Sequence, residues 1–164
     1  MQPRGHTRGD PVDVITGANT DCTLDFRLTG PMEFRWLRYY DSSKASVPLA
    51  LGFGHTHHFD RKLLFDADGI SYLAPVAQRV GFQPLLADGA ELRKNGLVLR
   101  RVAPECYRLF RKDGPAEEYE FRPGQRVARL RRMFDAEHEL TFRYDAQGRL
   151  TQIRDASGRG IAVT

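Results

Sequence analysis

The sequence predicts an all-β protein, an antiparallel β-meander of hairpins with little helix, and three observations carry that prediction. Short runs alternate apolar and polar residues, amphipathic helical periods are scarce, and turn residues return roughly every ten positions. The alternation is clearest in Leu140-Thr-Phe-Arg-Tyr144, where Leu140, Phe142 and Tyr144 share one face and Thr141 and Arg143 the other. That pattern is a half-buried strand.

Taken in chain order, Leu24-Asp-Phe-Arg-Leu28 alternates in the same way and is expected to bury one face. Phe34-Arg-Trp-Leu-Arg-Tyr39 follows, with aromatic residues that suit a pleated surface. Leu97-Val-Leu99 and Tyr119-Glu-Phe121 are further strands. Between them stand Gly30-Pro31, Asp68-Gly69, Asp88-Gly89, Asn95-Gly96, Asp113-Gly114-Pro115 and Pro123-Gly124, all turn dipeptides. Residues 85–94 have some helix formers but are broken by Gly89. In 127–134, Val127, Leu130 and Met133 fit a helix or a strand, and both readings stay open. Pro75, Pro84 and Pro104 place edges or irregular connections in the middle third.

The C-terminal part repeats. Asp135-Ala136, Asp145-Ala146 and Asp155-Ala156 stand ten residues apart, and the last two extend to Asp145-Ala-Gln-Gly148-Arg149 and Asp155-Ala-Ser-Gly158-Arg159. Asp at the first turn position accepts backbone hydrogen bonds, and Gly at the fourth adopts the left-handed conformation, so each unit is a hairpin turn with a bulge. The Asp135 copy has Glu137-His138-Glu139 where Gly is expected, which requires another kind of turn. Phe65-Asp-Ala-Asp-Gly69 is a related piece. The repeat divides the chain into a β domain over 1–125 and two to three hairpin repeats over 126–164.

Composition excludes several classes. With 41% hydrophobic residues the chain is too apolar for disorder, and no stretch approaches the roughly 20 apolar residues of a membrane span. Met1-Gln-Pro-Arg-Gly-His6 lacks the apolar core of a Sec signal peptide. Cys22 and Cys106 match no metal or redox spacing, although a single bridge between them stays open. The net charge of +4 is concentrated in residues 91–164, and all but four of the 25 basic residues are arginine. Nucleic acid is the lesser reading of this excess. The favoured one pairs arginines with interleaved acids on exposed strand faces, Glu117, Glu118 and Glu120 near Arg122 and Arg126.

The run Phe142-Arg-Tyr144-Asp145-Ala-Gln-Gly148-Arg149-Leu150-Thr151 and its continuation through Ile153 to Asp155-Ala-Ser-Gly158-Arg159 resembles the YD repeat of Rhs and teneurin-type proteins. Three earlier stretches resemble the domain that opens the repeat region of bacterial Rhs proteins. They are Gly9-Asp-Pro-Val-Asp-Val-Ile-Thr-Gly17, Gly30-Pro-Met-Glu-Phe-Arg-Trp36-Leu-Arg38-Tyr-Tyr40-Asp-Ser42-Ser43 and Leu51-Gly52-Phe-Gly54-His-Thr-His57-His-Phe59-Asp60. His55 stands where that family usually carries Trp, and 73–125 match loosely. The resemblance implies the start of a curved, open β-cocoon, with Tyr144, Leu150 and Ile153 packing between repeats and Arg149 and Arg159 bridging to acids or carbonyls of the next strand. It further implies a non-enzymatic shell for a polymorphic toxin used in interbacterial competition, often through type VI secretion. Such a chain is cytoplasmic in the producing cell and exported with an effector. The expected partners are more shell repeats, toxin cargo or another copy, met through an open sheet edge. With no toxin region, terminal cleavage segment or PAAR-type spike in view, the chain is expected to be only the beginning of such a shell.

Candidate chemistry is sparse. His55, His57 and His58, with His6, His138 and Asp60 as the other available donors, are candidate metal ligands. A strand, however, puts His55 and His57 on one face and His58 on the other, and a structural role for His57 beside the Gly52/Gly54 turn is favoured. No nucleophile elbow or phosphate loop occurs, Asp145 and Asp155 belong to turns, and Cys106 reads as a small buried residue. No catalytic, metal or cofactor residue is assigned. The aromatic set Phe26, Phe34, Trp36, Tyr39, Tyr40 and Phe53 keeps a second reading open, a stand-alone module for glycan or nucleic acid. Against it, Phe34 and Trp36 are expected to face the core while Tyr39 and Tyr40 straddle both faces.

Overall fold

The computed structural model describes residues 17–163 apart from 31, 33, 76–78 and 122–123. The regular structure of the described chain is almost entirely antiparallel strand, and its helix is confined to one 3-10 turn, Ser42–Lys44, capped by the Asp41 carboxylate on Ser43 N. The motif at 9–16, His6, and Arg122 lie outside the described residues. The described residues divide into two compact units, one built from 17–27 and 35–58, the other from 28–34 and 59–163.

The first unit holds β1 (Thr20–Leu28), β2 (Phe34–Asp41) and β5 (His55–His57), paired in that order, with β3 (Pro48–Leu49) and β4 (Gly52–Phe53) as a separate short hairpin. Trp36 is buried and stacks on His57 at 4.9 Å on one side and on Phe26 at 6.1 Å on the other. Tyr39 and Tyr40, expected to straddle the two faces of β2, are both half-buried. β1 departs from expectation. Its alternation is intact, but Leu24 remains 50% and Phe26 39% exposed, so the strand is not half-buried.

The second unit is one large sheet. β9 (Glu91–Lys94), β10 (Leu97–Ala103), β11 (Cys106–Arg111), β12 (Ala116–Glu120), β13 (Val127–Phe134), β14 (Glu139–Tyr144), β15 (Leu150–Asp155) and β16 (Gly160–Ala162) follow one another as a meander. A branch leaves β13 through β6 (Lys62–Asp66), β7 (Gly69–Leu73) and β8 (Arg79–Phe82). Eight strands, β9 to β13 and then β6 to β8, curl until β8 lies beside β9, where the Lys94 ammonium donates to Gly81 O at 2.7 Å. The curved sheet is therefore nearly closed into a barrel at this point.

Alternate residues fill its interior. Leu99, Leu109, Tyr119, Leu130, Ala128 and Leu63 are wholly buried, with Tyr72, Val80 and Tyr107 almost so. At about 25 cal/mol per Å² of apolar area removed from water, such a core is the main stabilising term.

A β-bulge causes the branch. Opposite β12, Glu118 pairs with Arg132 and Tyr119 with Leu130, which leaves Arg131 as an extra residue. Burial along β13 follows, with Ala128 and Leu130 inside, Arg131 exposed, then Met133 inside. The extra residue bends the strand. On its other side, 127–129 pair with β6 while 132–134 pair with β14.

Candidate functional site

Two constructions in the second unit carry chemistry, the repeat hairpins and a polar cluster inside the barrel. In the β14–β15 turn, Gly148 N donates to Asp145 O at 3.0 Å and Asp145 N to Arg149 O at 2.9 Å. The β15–β16 turn repeats this with Gly158 N on Asp155 O at 3.1 Å and Asp155 N on Arg159 O at 2.9 Å. Gly148 and Gly158 have φ of 79° and 84°, the left-handed geometry that ends a type I turn in a bulge. The Asp135 copy closes differently. Its carboxylate accepts from Glu137 N and His138 N, and Asp135 N donates to His138 O at 3.0 Å.

The arginines after the glycines correct one expectation. Arg149 donates through its backbone N–H and Nε to Asp145, at 2.8 and 2.7 Å, and Arg159 does the same to Asp155, at 2.9 and 2.8 Å. They close their own turns instead of reaching the next strand, because a turn this tight brings the side chain back over the Asp that opens it. The Asp145 carboxyl is held below the usual range by the Arg149 backbone N–H and side chain, and Asp155 by the Ser157 hydroxyl and Arg159.

Apolar residues link the hairpins. Phe142 stands opposite Ile153, and Ile153 opposite Ile161, with Leu150, Phe142 and Ile153 buried. Tyr144 pairs with Leu150 and sends its hydroxyl to Leu130 O at 2.9 Å, and burial pushes that phenol up. Arg129 Nε donates to Gly148 O at 3.0 Å.

The polar cluster was not found by sequence reasoning. Glu117 is wholly buried and accepts from Arg61 Nη1, from Arg111 Nη2 at 2.5 Å and from the Tyr119 hydroxyl at 2.5 Å. Arg111 also donates to the Tyr72 hydroxyl at 3.2 Å. Residues of β11, of β12 and of the segment just before β6 meet at this one carboxylate, and β7 joins through Arg111. Burial and then Glu117 raise both phenols, Tyr119 the more strongly, so both stay neutral, Tyr119 donating to Glu117 and Tyr72 accepting from Arg111, and Glu117 holds Arg61 charged against burial. The signal was in the alternation, since Tyr119 facing inward places Glu117 inward as well.

The other acids of β12 correct a second expectation. Glu118 pairs with Arg108 at 2.8 Å and Arg132 at 3.2 Å, and Glu120 with Arg131 at 2.9 Å. These are partners across the ladder, not Arg126 along the chain, and Glu117 is on no exposed face.

The histidine cluster disperses. His55 contacts Phe53 O at 2.9 Å and Tyr40 at 4.7 Å, His57 lies against Trp36, and His58 Nδ1 is 3.5 Å from the Tyr39 hydroxyl. Among the described residues no three His, Cys, Asp or Glu side chains converge as a metal site. Cys22 and Cys106 are free, and burial raises both thiols. No helix of the described residues is long and apolar enough to cross a membrane.

Two successive hairpins with Asp-x-x-Gly-Arg turns, the first preceded by Tyr144, are joined edge to edge in one antiparallel sheet and give the end of the second unit the form of a YD-type repeat. Residues 129–159 match the RHS Repeat family, and residues 9–82 match a Domain of unknown function (DUF6531), often found at the N-terminal side of Rhs proteins. The repeat region is of the Rhs/YD type. No curated protein matches it.

Proposed function

We propose that the chain is a non-enzymatic wall segment of a shell that encloses or delivers a toxin in competition between bacteria, often by type VI secretion. The observation that supports this reading best is the sheet from β13 to β16. Each hairpin there takes its register from its own Asp and Gly and presents the next strand for pairing, and this geometry extends by repetition. Among the described residues β16 has one ladder partner, β15. Its partners in this reading are further shell repeats, cargo or another copy, and its place is the cytoplasm of the producing cell before export.

The alternative, a glycan or nucleic-acid module, has less support. Arg100, Arg108 and Arg132 are engaged by Glu91, Glu118 and Glu139, and Phe34 and Trp36 are buried. Heparin or nucleic-acid binding that persists above about 0.3 M salt would favour it.

The deciding experiment deletes the gene in its native strain and measures survival of a susceptible competitor in co-culture, alongside sequencing of the flanking frame. Continuing repeats leading to a toxin with an adjacent immunity gene, and loss of killing on deletion, are expected. A flank without a toxin region together with unchanged killing overturns the proposal.

A further inference from the structure

The bulge at Arg131 opens a groove of roughly 430 Å³ between β13 and the turn that joins β14 to β15. Phe121, Phe142 and Tyr144 supply its aromatic surface, and Arg129, Arg131 and Arg143 its cationic one. The three arginines are not equally engaged. Arg131 pairs with Glu120, both well exposed, and an ion pair of that kind is weak. Arg129 is held by Gly148 O and lies 6.0 Å from the centre of the Tyr144 ring, but makes no ion pair among the described residues. Arg143 is exposed and likewise has no carboxylate partner there.

The backbone adds a third element. Leu130 and Arg131 fall between the segment that pairs with β6 and the segment that pairs with β14, so neither has a ladder partner on the groove side. Leu130 O accepts from the Tyr144 hydroxyl.

We propose that this groove binds an acidic, extended peptide segment of a partner protein. Its carboxylates would meet Arg129 and Arg143, and an apolar side chain would rest on Phe121 and Tyr144. An extended chain is the shape that an unpaired stretch of strand accepts, and guanidinium groups bind carboxylates in planar, paired geometry. Guanidinium groups beside an aromatic surface suit a segment that carries both carboxylates and an apolar side chain, which a phosphate polymer lacks. The proposal does not depend on the shell reading, because it rests on the groove alone.

The test is fluorescence anisotropy of the full chain with a labelled peptide alternating glutamate and phenylalanine. The same peptide with glutamine for glutamate, and a polyphosphate, serve as the other probes. The glutamate peptide should bind and the other two should bind at least about tenfold more weakly. Arg143→Glu and Arg143→Gln should each weaken the glutamate peptide by about tenfold or more, the scale of one charge-assisted contact. Arg93→Glu, an equal charge change at an exposed site on β9, should leave it within about twofold. Circular dichroism of each variant confirms the fold. Equal binding of the glutamine peptide, tighter binding of polyphosphate, or equal losses for Arg143→Glu and Arg93→Glu would each overturn the proposal.

Discussion

Replacing Glu117 by alanine removes the acceptor at which Arg61, Arg111 and Tyr119 meet, and leaves two guanidinium groups inside the barrel without their carboxylate. Removing one partner of a buried ion pair costs about 3–5 kcal/mol, and a buried hydroxyl without an acceptor about 1–3 kcal/mol more. The groups are in contact, so the terms do not simply add. A loss near 4 kcal/mol is still a large part of the roughly 5–15 kcal/mol that holds a domain together. It corresponds to a fall in Tm on the order of 10 °C. Urea unfolding followed by Tyr and Trp fluorescence measures it. Two companions separate charge from volume. Glu117→Gln keeps the shape and should lose part of the stability, whereas the triple replacement Glu117→Leu, Arg61→Met, Arg111→Met should recover most of it, because no charge is then left buried. A loss below about 1 kcal/mol for Glu117→Ala, or a triple variant no better than the single one, would show that the cluster does not hold the barrel closed.

Gly148→Ala and Gly158→Ala place the same strain on the left-handed turn position, about 1–2 kcal/mol. A Cβ at Gly148 also overlaps the Arg129 guanidinium while one at Gly158 meets open space, so thermal unfolding should show the larger loss at Gly148. Tyr144→Phe should cost about 0.5–1.5 kcal/mol in urea unfolding by freeing Leu130 O. Asp145 and Asp155 have lowered carboxyl pKa values, so their stabilisation is fully present above the ordinary value near 3.9 and is lost as pH falls through the lower folded values. The Asp145→Asn, Asp155→Asn double variant should therefore show a flatter fall in urea midpoint below about pH 4 than the parent.

The strands and the hairpin turns were legible because each rests on local chemistry, the two-residue alternation of Leu140, Phe142 and Tyr144 or the paired Asp and Gly of a turn. What was not legible depends on neighbours distant in sequence. Leu130 and Met133 stand three apart, a spacing that looks helical. In the sheet that spacing is the product of the bulge at Arg131, which uses up one residue and changes the face. Leu24 and Phe26 alternate as well as any core strand, yet nothing in that alternation says whether another layer covers them. The charge of Glu117 reads as that of a surface acid, although its parity with Tyr119 points inward. The parity carried the stronger information, because a strand cannot turn one side chain alone without a bulge.

The bulge at Arg131 also separates two kinds of growth. Ahead of it, β13 belongs to a ring whose circumference is set by eight strands meeting near Lys94 and Gly81, and adding a strand there would reopen the gap that the ring has nearly closed. Beyond it, the same strand begins a row whose length no closure fixes. Hairpins gained or lost after β14 leave the ring's diameter untouched, so one displaced residue lets a fixed hub and a variable arm share a single continuous strand.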